Sequence, residues 1–192
     1  MLTREDIVEK SRRALLDSHL QIAELVLDAP RFGGGRVEIS REVVLRSDAA
    51  AALVHDVARD VFVLAEQVRV PAYEAGGAWV LELVAGKLDE GETPEAAIRR
   101  EMQEEIGYRA GALEPICRFY PSPGYSTERL HLFYAPVTGA DLLRPDAHGV
   151  DEGEDIRRVE LSRAEFLARL EARDFEDGKL LALSGWALKR FG

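Results

Sequence analysis

The stretch GKLDEGETPEAAIRREMQEEIGY, Gly86 to Tyr108, carries seven carboxylates. Three of them, Glu101, Glu104 and Glu105, fall in the last two turns of a helix announced by Thr93-Pro94-Glu95: a hydroxyl N-cap, proline at the first helical position and an acid in the first turn. Like charges three or four residues apart on a helix repel by a few tenths of a kcal/mol each. At about 100° per residue, Ile98, Met102 and Ile106 form an apolar stripe that should face a sheet. Glu105 projects within that stripe, Glu101 lies on its edge about 40° away, and Glu104 lies about 60° further round. Two carboxylates stacked one turn apart beside a core are costly to keep ionised. A hard divalent cation, Mg²⁺ or Mn²⁺, resolves the conflict, because glutamates at i and i+4 present their oxygens side by side. A solvated acidic face partnered by Arg99 and Arg100 would serve for an isolated E-x-x-E-E. It leaves unexplained Gly86, the spacing to Glu92, the placing of Arg100 next to Glu101, and Gly107 at the helix end.

The remaining pattern predicts α+β with a mixed sheet. Residues Thr3–Leu16 have weak helical spacing (Ile7, Leu15, Leu16) and read as a short N-terminal helix. Leu20–Asp28 and Arg36–Arg46 read as two strands joined by a turn containing Gly33–Gly35, which lacks the strand-to-helix setting of a phosphate loop. A strand pair follows around His55–Asp60, then one strand over Ala78–Gly86, the acidic helix, and strands near Ala112–Tyr120 and Arg129–Val137. Ser162-Arg163-Ala164-Glu165 is a capping box opening a helix to about Glu171, and Asp177-Gly178 opens a last helix. At 192 residues the chain suits one well-packed domain with a small accessory element.

A net charge of −10 argues against nucleic-acid and anionic-lipid partners. The single cysteine, Cys117, excludes an intramolecular disulfide and a multi-cysteine zinc site, and its apolar surroundings predict core packing. No stretch reaches the roughly 18 uncharged residues of a membrane span and the N-terminus lacks an apolar signal region, so the expected location is cytoplasmic. His19, His55, His131 and His148 share no spacing and read as structural.

Gly86, Glu92 and the run Arg100-Glu101-Met102-Gln103-Glu104-Glu105-Ile106-Gly107-Tyr108 match the Nudix box at every defined position, so the chain resembles Nudix hydrolases. The resemblance extends through QVRVPAYEAGGAWVLELVAGKLDEGE, PSPGYSTER and DEGEDI to the ADP-ribose pyrophosphatase branch and its relatives, the GDP-mannose hydrolases. Pro123 stands where that branch carries a proline, and Tyr125 lies near a tyrosine position of diadenosine-polyphosphate hydrolases. The resemblance implies an αβα sandwich over residues 47–192, preceded by an N-terminal antiparallel strand element in residues 1–46 through which the chain would form a homodimer.

The function it implies is hydrolysis of the diphosphate bond of ADP-ribose, with GDP-mannose or a broad range of nucleoside-diphosphate sugars as the alternative. A nucleotide-sugar sensor without hydrolysis is disfavoured because the box is complete. Carried over position by position, two or more Mg²⁺ (or Mn²⁺) ions would be held by the Ala85 carbonyl, Glu101, Glu105 and Glu154. Arg100 would orient the glutamates, with Glu92 and Glu104 in support. Glu152 would be the general base, with Glu104 next in line, and Arg69, Glu82 and Glu128 would contact substrate.

Overall fold

The computed structural model describes residues 2–147 and 155–192, which form two compact units. One comprises Met1–Asp48 with Tyr120–Arg129, the other Ala49–Phe119 with Leu130–Gly192.

The first unit is an antiparallel meander of β1 (Val8–Asp17), β2 (Gln21–Pro30) and β3 (Arg36–Leu45). Its β2–β3 turn uses Gly34 and Gly35 at φ of 91° and 79°, the left-handed region in which glycine pays no Cβ penalty. The segment Tyr120–Arg129 joins this unit through β3: Val44 N–H donates to the Tyr125 carbonyl (2.7 Å) and Thr127 N–H to the Val44 carbonyl (3.1 Å).

The expected helix over Thr3–Leu16 is not there. A single 3₁₀ turn, Arg4–Asp6, capped by Thr3, gives way to β1. Every residue of β1 is exposed, so no apolar stripe exists to hold a helix against a core. Pairing with β2 supplies backbone hydrogen bonds instead, with cross-strand ion pairs such as Arg13–Glu24 at 2.9 Å.

The second unit is a mixed sheet with helices on both faces, an αβα arrangement. Its strands are β4 (Ala49–Asp56), β5 (Val61–Val68), β6 (Trp79–Glu82), β7 (Val84–Lys87), β8 (Glu114–Phe119), β9 (Leu130–Val137) and β10 (Arg157–Ser162), in the order β10-β5-β4-β9-β8 with β6 on β5 and β7 on β4. Only β4 and β9 run parallel. All of β4 is buried, as a central strand covered on both faces must be. Helix α1 (Val70–Glu74) is a short connector; α2 is Pro94–Glu105, α3 Arg163–Ala172 and α4 Gly178–Phe191. Ala97, Ile98 and Met102 of α2 pack on one face with Ala50, Val63 and Val84. Phe166, Leu170, Leu180 and Leu183 of α3 and α4 pack on the other with Leu53, Phe62 and Leu64.

Three further differences from the sequence reading have local causes. The single strand expected over Ala78–Gly86 is two, because Leu83 N–H donates to the Asp177 carboxylate (3.1 Å) and the chain passes from β5 to β4 at that point. Cys117 is exposed. Strand β8 contains a bulge between Pro115 and Cys117, which leaves Ile116 and Phe119 packed on the core. Two elements carry little sequence signal: α1 is a single turn, and β10 alternates charge with only Val159 and Leu161 apolar. Among the described residues, no helix is long and apolar enough to cross a membrane.

Candidate active site

Helix α2 begins as the sequence requires, with the Thr93 hydroxyl accepting from Ala96 N–H at 3.2 Å and Pro94 at the first position. Its buried residues are Ala97, Ile98, Met102 and Glu105. The Glu105 side chain lies on the sheet-facing side, where Ala85 N–H of β7 donates to its Oε2 at 3.3 Å. Burial, reinforced by the neighbouring Glu101 carboxylate, raises the Glu105 pKa to about 8. The Ala85 hydrogen bond opposes that shift without overcoming it.

Glu101 fits only because residue 86 is glycine. A Cβ there would lie 1.7 Å from Glu101 Oε1, so any side chain would expel the carboxylate. One guanidinium organises the other acids. Arg100 Nη1 donates to Glu101 Oε1 (2.6 Å) and Glu104 Oε2 (3.1 Å), while Nε and Nη2 donate to the two oxygens of Glu92 (3.3 and 3.1 Å). Nη2 also reaches the Lys87 carbonyl at 3.1 Å, tying the helix to the end of β7. Hydrogen bonds from Arg100 and from Asp89 N–H hold the Glu92 carboxyl below its usual range.

The helix ends in a second close approach. Gly107 has φ 76°, and a Cβ on it would meet the Arg144 carbonyl at 1.9 Å. The Gly107 carbonyl accepts from Leu143 and Arg144 N–H (2.9 and 3.2 Å).

Arg69, the N-cap of α1, donates Nε–H to Glu82 Oε1 at 2.7 Å. Glu82 is buried, and its other oxygen accepts from Lys179 Nζ at 2.8 Å. Burial alone would raise the Glu82 carboxyl, but Lys179 and Arg69 outweigh it and hold the group below its usual range. The structure thus groups Ala85, Glu101, Glu104, Glu105 and Arg100, and separately joins Arg69 to Glu82. Glu128 belongs to the first unit, where Arg46 approaches it at 3.5 Å. Glu152 and Glu154 lie outside the described residues. Lys179 escaped sequence reasoning, although a cation in the first turn of a helix, at the positive end of its dipole, is a signal that a local acid compensates it.

Among the described residues no three His, Cys, Asp or Glu side chains converge into a metal-holding group. What the site has is a pair of apposed carboxylates, one buried with its charge suppressed, and hard oxygen donors throughout. That pair fits a hard divalent cation.

The NUDIX domain model matches residues 45–182. The chain belongs to the NUDIX family. A GDP-mannose pyrophosphatase of Pectobacterium atrosepticum is 38% identical over 187 residues, covering 96% of this chain and 94% of the relative. One of Citrobacter koseri is 34% identical over 173 residues, 89% of each chain. A solved structure described as an ADP compounds hydrolase superposes with a TM-score of 0.72 at 19% identity, over 99% of this chain and 96% of that one. The NUDIX assignment makes the protein a pyrophosphohydrolase and gives the crowded acids of α2 their setting.

The raised Glu105 pKa has a stability consequence with a definite sign. The folded protein holds a proton that the unfolded chain, at the ordinary value of 4.5, has released. That stabilisation is complete below about pH 4.5 and is lost as pH rises through about 8. Without divalent cations, Glu105→Gln should therefore match the wild type in melting temperature at pH 5. At pH 8.5 it should exceed it by on the order of 10 °C, given about 1.4 kcal/mol for each pH unit between 4.5 and about 8 and about 2–4 °C per kcal/mol at this chain length. A variant less stable than the wild type at both pH values would show that the carboxylate stabilises the apo fold.

Proposed function

We propose that this NUDIX pyrophosphohydrolase cleaves the diphosphate bond of nucleoside-diphosphate sugars, with GDP-mannose preferred, giving GMP and mannose 1-phosphate. The observation carrying the preference is nearly full-length similarity to enzymes named GDP-mannose pyrophosphatase, 38% over 96% of the chain. ADP-ribose is the second reading, supported by the likeness of WVLELVAGKLDEGE and EDIR to the ADP-ribose branch.

In this reading Glu101 and Glu105, with the Ala85 carbonyl and Glu154, hold Mg²⁺ or Mn²⁺, with two or more ions per site. Family members generally use divalent ions, and bound cations neutralise the diphosphate oxygens that a chain of net charge −10 repels. Arg100 keeps Glu101 and Glu104 in fixed rotamers through charge-assisted hydrogen bonds. Arg69 offers a guanidinium to substrate oxygens, with the buried Glu82 behind it as its counter-ion. Glu152 takes the proton of the attacking water, and Glu104 is the alternative base.

The test is phosphate release, coupled to alkaline phosphatase, from GDP-mannose, ADP-ribose, UDP-glucose and a diadenosine polyphosphate. GDP-mannose should give the highest kcat/KM with Mg²⁺, and excess EDTA should abolish turnover. Within the same assay Glu154→Gln should raise the Mg²⁺ requirement, while Glu152→Gln should lose about 10²–10⁴ in kcat at unchanged metal dependence. Turnover unchanged by EDTA, or no turnover of any nucleotide sugar, would overturn the function. Losses under about fivefold in both variants would move the base to Glu104.

The homodimer is part of the same proposal, its occupant a second copy of this chain. Strand β1 is an exposed edge bearing Val8, Leu15 and Leu16, and a ten-residue unpaired edge invites pairing with another chain. Light scattering at micromolar concentration should give twice the 21.3 kDa chain mass. A fully active monomer would contradict it.

A further inference from the structure

Glu82 stands in an awkward place. It is a buried carboxylate whose charge pushes the Glu105 pKa upward. Its surroundings keep it charged nonetheless. Lys179 Nζ donates to Glu82 Oε2 at 2.8 Å and pairs ionically with Asp177 Oδ1 at 3.0 Å, and the Lys179 side chain is only 13% exposed. Asp177, itself buried, caps α4 through Lys179 N–H (3.0 Å) and accepts Leu83 N–H through its second oxygen (3.1 Å). A chain of contacts therefore runs from the α4 N-terminus to the β6–β7 break and back to Glu82.

Its far end is Arg69. Its Nε donates to Glu82; among the described residues its two Nη nitrogens make no hydrogen bond, and the side chain is 43% exposed. A guanidinium held from behind by one nitrogen presents the other two as a planar fork suited to phosphate oxygens. We propose that Lys179 and Asp177 are positioning residues, which fix Glu82 as a buried counter-ion so that it holds Arg69 by Nε and aims its two Nη groups at the substrate's anionic oxygens. This rests on the diphosphate substrate proposed above. Lys179 then acts on substrate only through Arg69, and its effect should vanish when Arg69 is absent.

A double-mutant cycle on the full-length protein tests this. Lys179→Met should lower kcat/KM about tenfold, chiefly through KM, and Lys179→Arg should restore most of it. In an Arg69→Ala background, adding Lys179→Met should cost less than about twofold. Multiplicative losses in the double variant, or a loss below about twofold in Lys179→Met alone, would overturn the proposal. A second readout needs no turnover: the Arg69 Nε–H resonance in ¹⁵N NMR, assigned by its absence in Arg69→Ala. It should exchange slowly in the wild type and in Lys179→Arg, and rapidly in Lys179→Met. Equal protection in Lys179→Met would refute the positioning role even if the substrate assignment failed. If Lys179→Met does not fold, Asp177→Asn replaces it in both experiments with the same expected directions, since the amide keeps an acceptor for Leu83 N–H but removes the charge that pairs with Lys179.

Discussion

Glu105 is pressed against β7 with its carboxylate under the Ala85 amide and Glu101 one turn away on the same helix. Much of the site follows from that contact. For Glu101 to share the space, position 86 must lack a side chain. Beside it, Arg100 draws Glu101 and Glu104 together by hydrogen bonds while also binding Glu92 and the Lys87 carbonyl. For β7 to lie where its amide meets Glu105, the strand must pair with β4 and not continue along β5. The repulsion remaining between Glu101 and Glu105 is what the divalent cation of the proposed site would relieve, so in that reading the fold would regain on metal binding the stability it lacks without it.

The break at Leu83 links this site to the opposite layer. Asp177 caps α4 and takes the amide that a continuous strand would have given to a neighbouring strand. The packing of α3 and α4 on the sheet thus fixes where Arg69 and Glu82 stand as well as building a core. The N-terminus of the last helix, which looks like simple packing, brings the buried Asp177 and the largely covered Lys179 to Glu82.

What was legible in the sequence is what local rules determine. The Thr93 cap, the stripe of Ile98 and Met102 and the placing of Glu105 within it all follow from helical periodicity, and the Gly34–Gly35 hairpin from turn chemistry. What was not legible depends on partners distant in sequence. Strand β1 has no core-facing pattern of its own and is a strand because β2 is beside it. The division of residues 78–86 into β6 and β7 depends on a carboxylate 94 residues away. Cys117 faces outward through a bulge that no periodicity reports. Lys179 is largely covered by its contacts with Glu82 and Asp177, which no local pattern reports.

In the proposed site, α2 holds a carboxylate that would stay neutral near physiological pH until a divalent cation binds. Calorimetric titration of Mg²⁺ at pH 7, repeated in buffers of different ionisation enthalpy, counts the protons released. With Glu105 at about 8 in the metal-free protein, close to one proton per chain should leave on binding. The number should fall towards zero above pH 9, where the carboxylate is already ionised, and Glu105→Gln should abolish the release at pH 7. Mg²⁺ binding with no proton release at pH 7, or release undiminished in Glu105→Gln, would contradict the account.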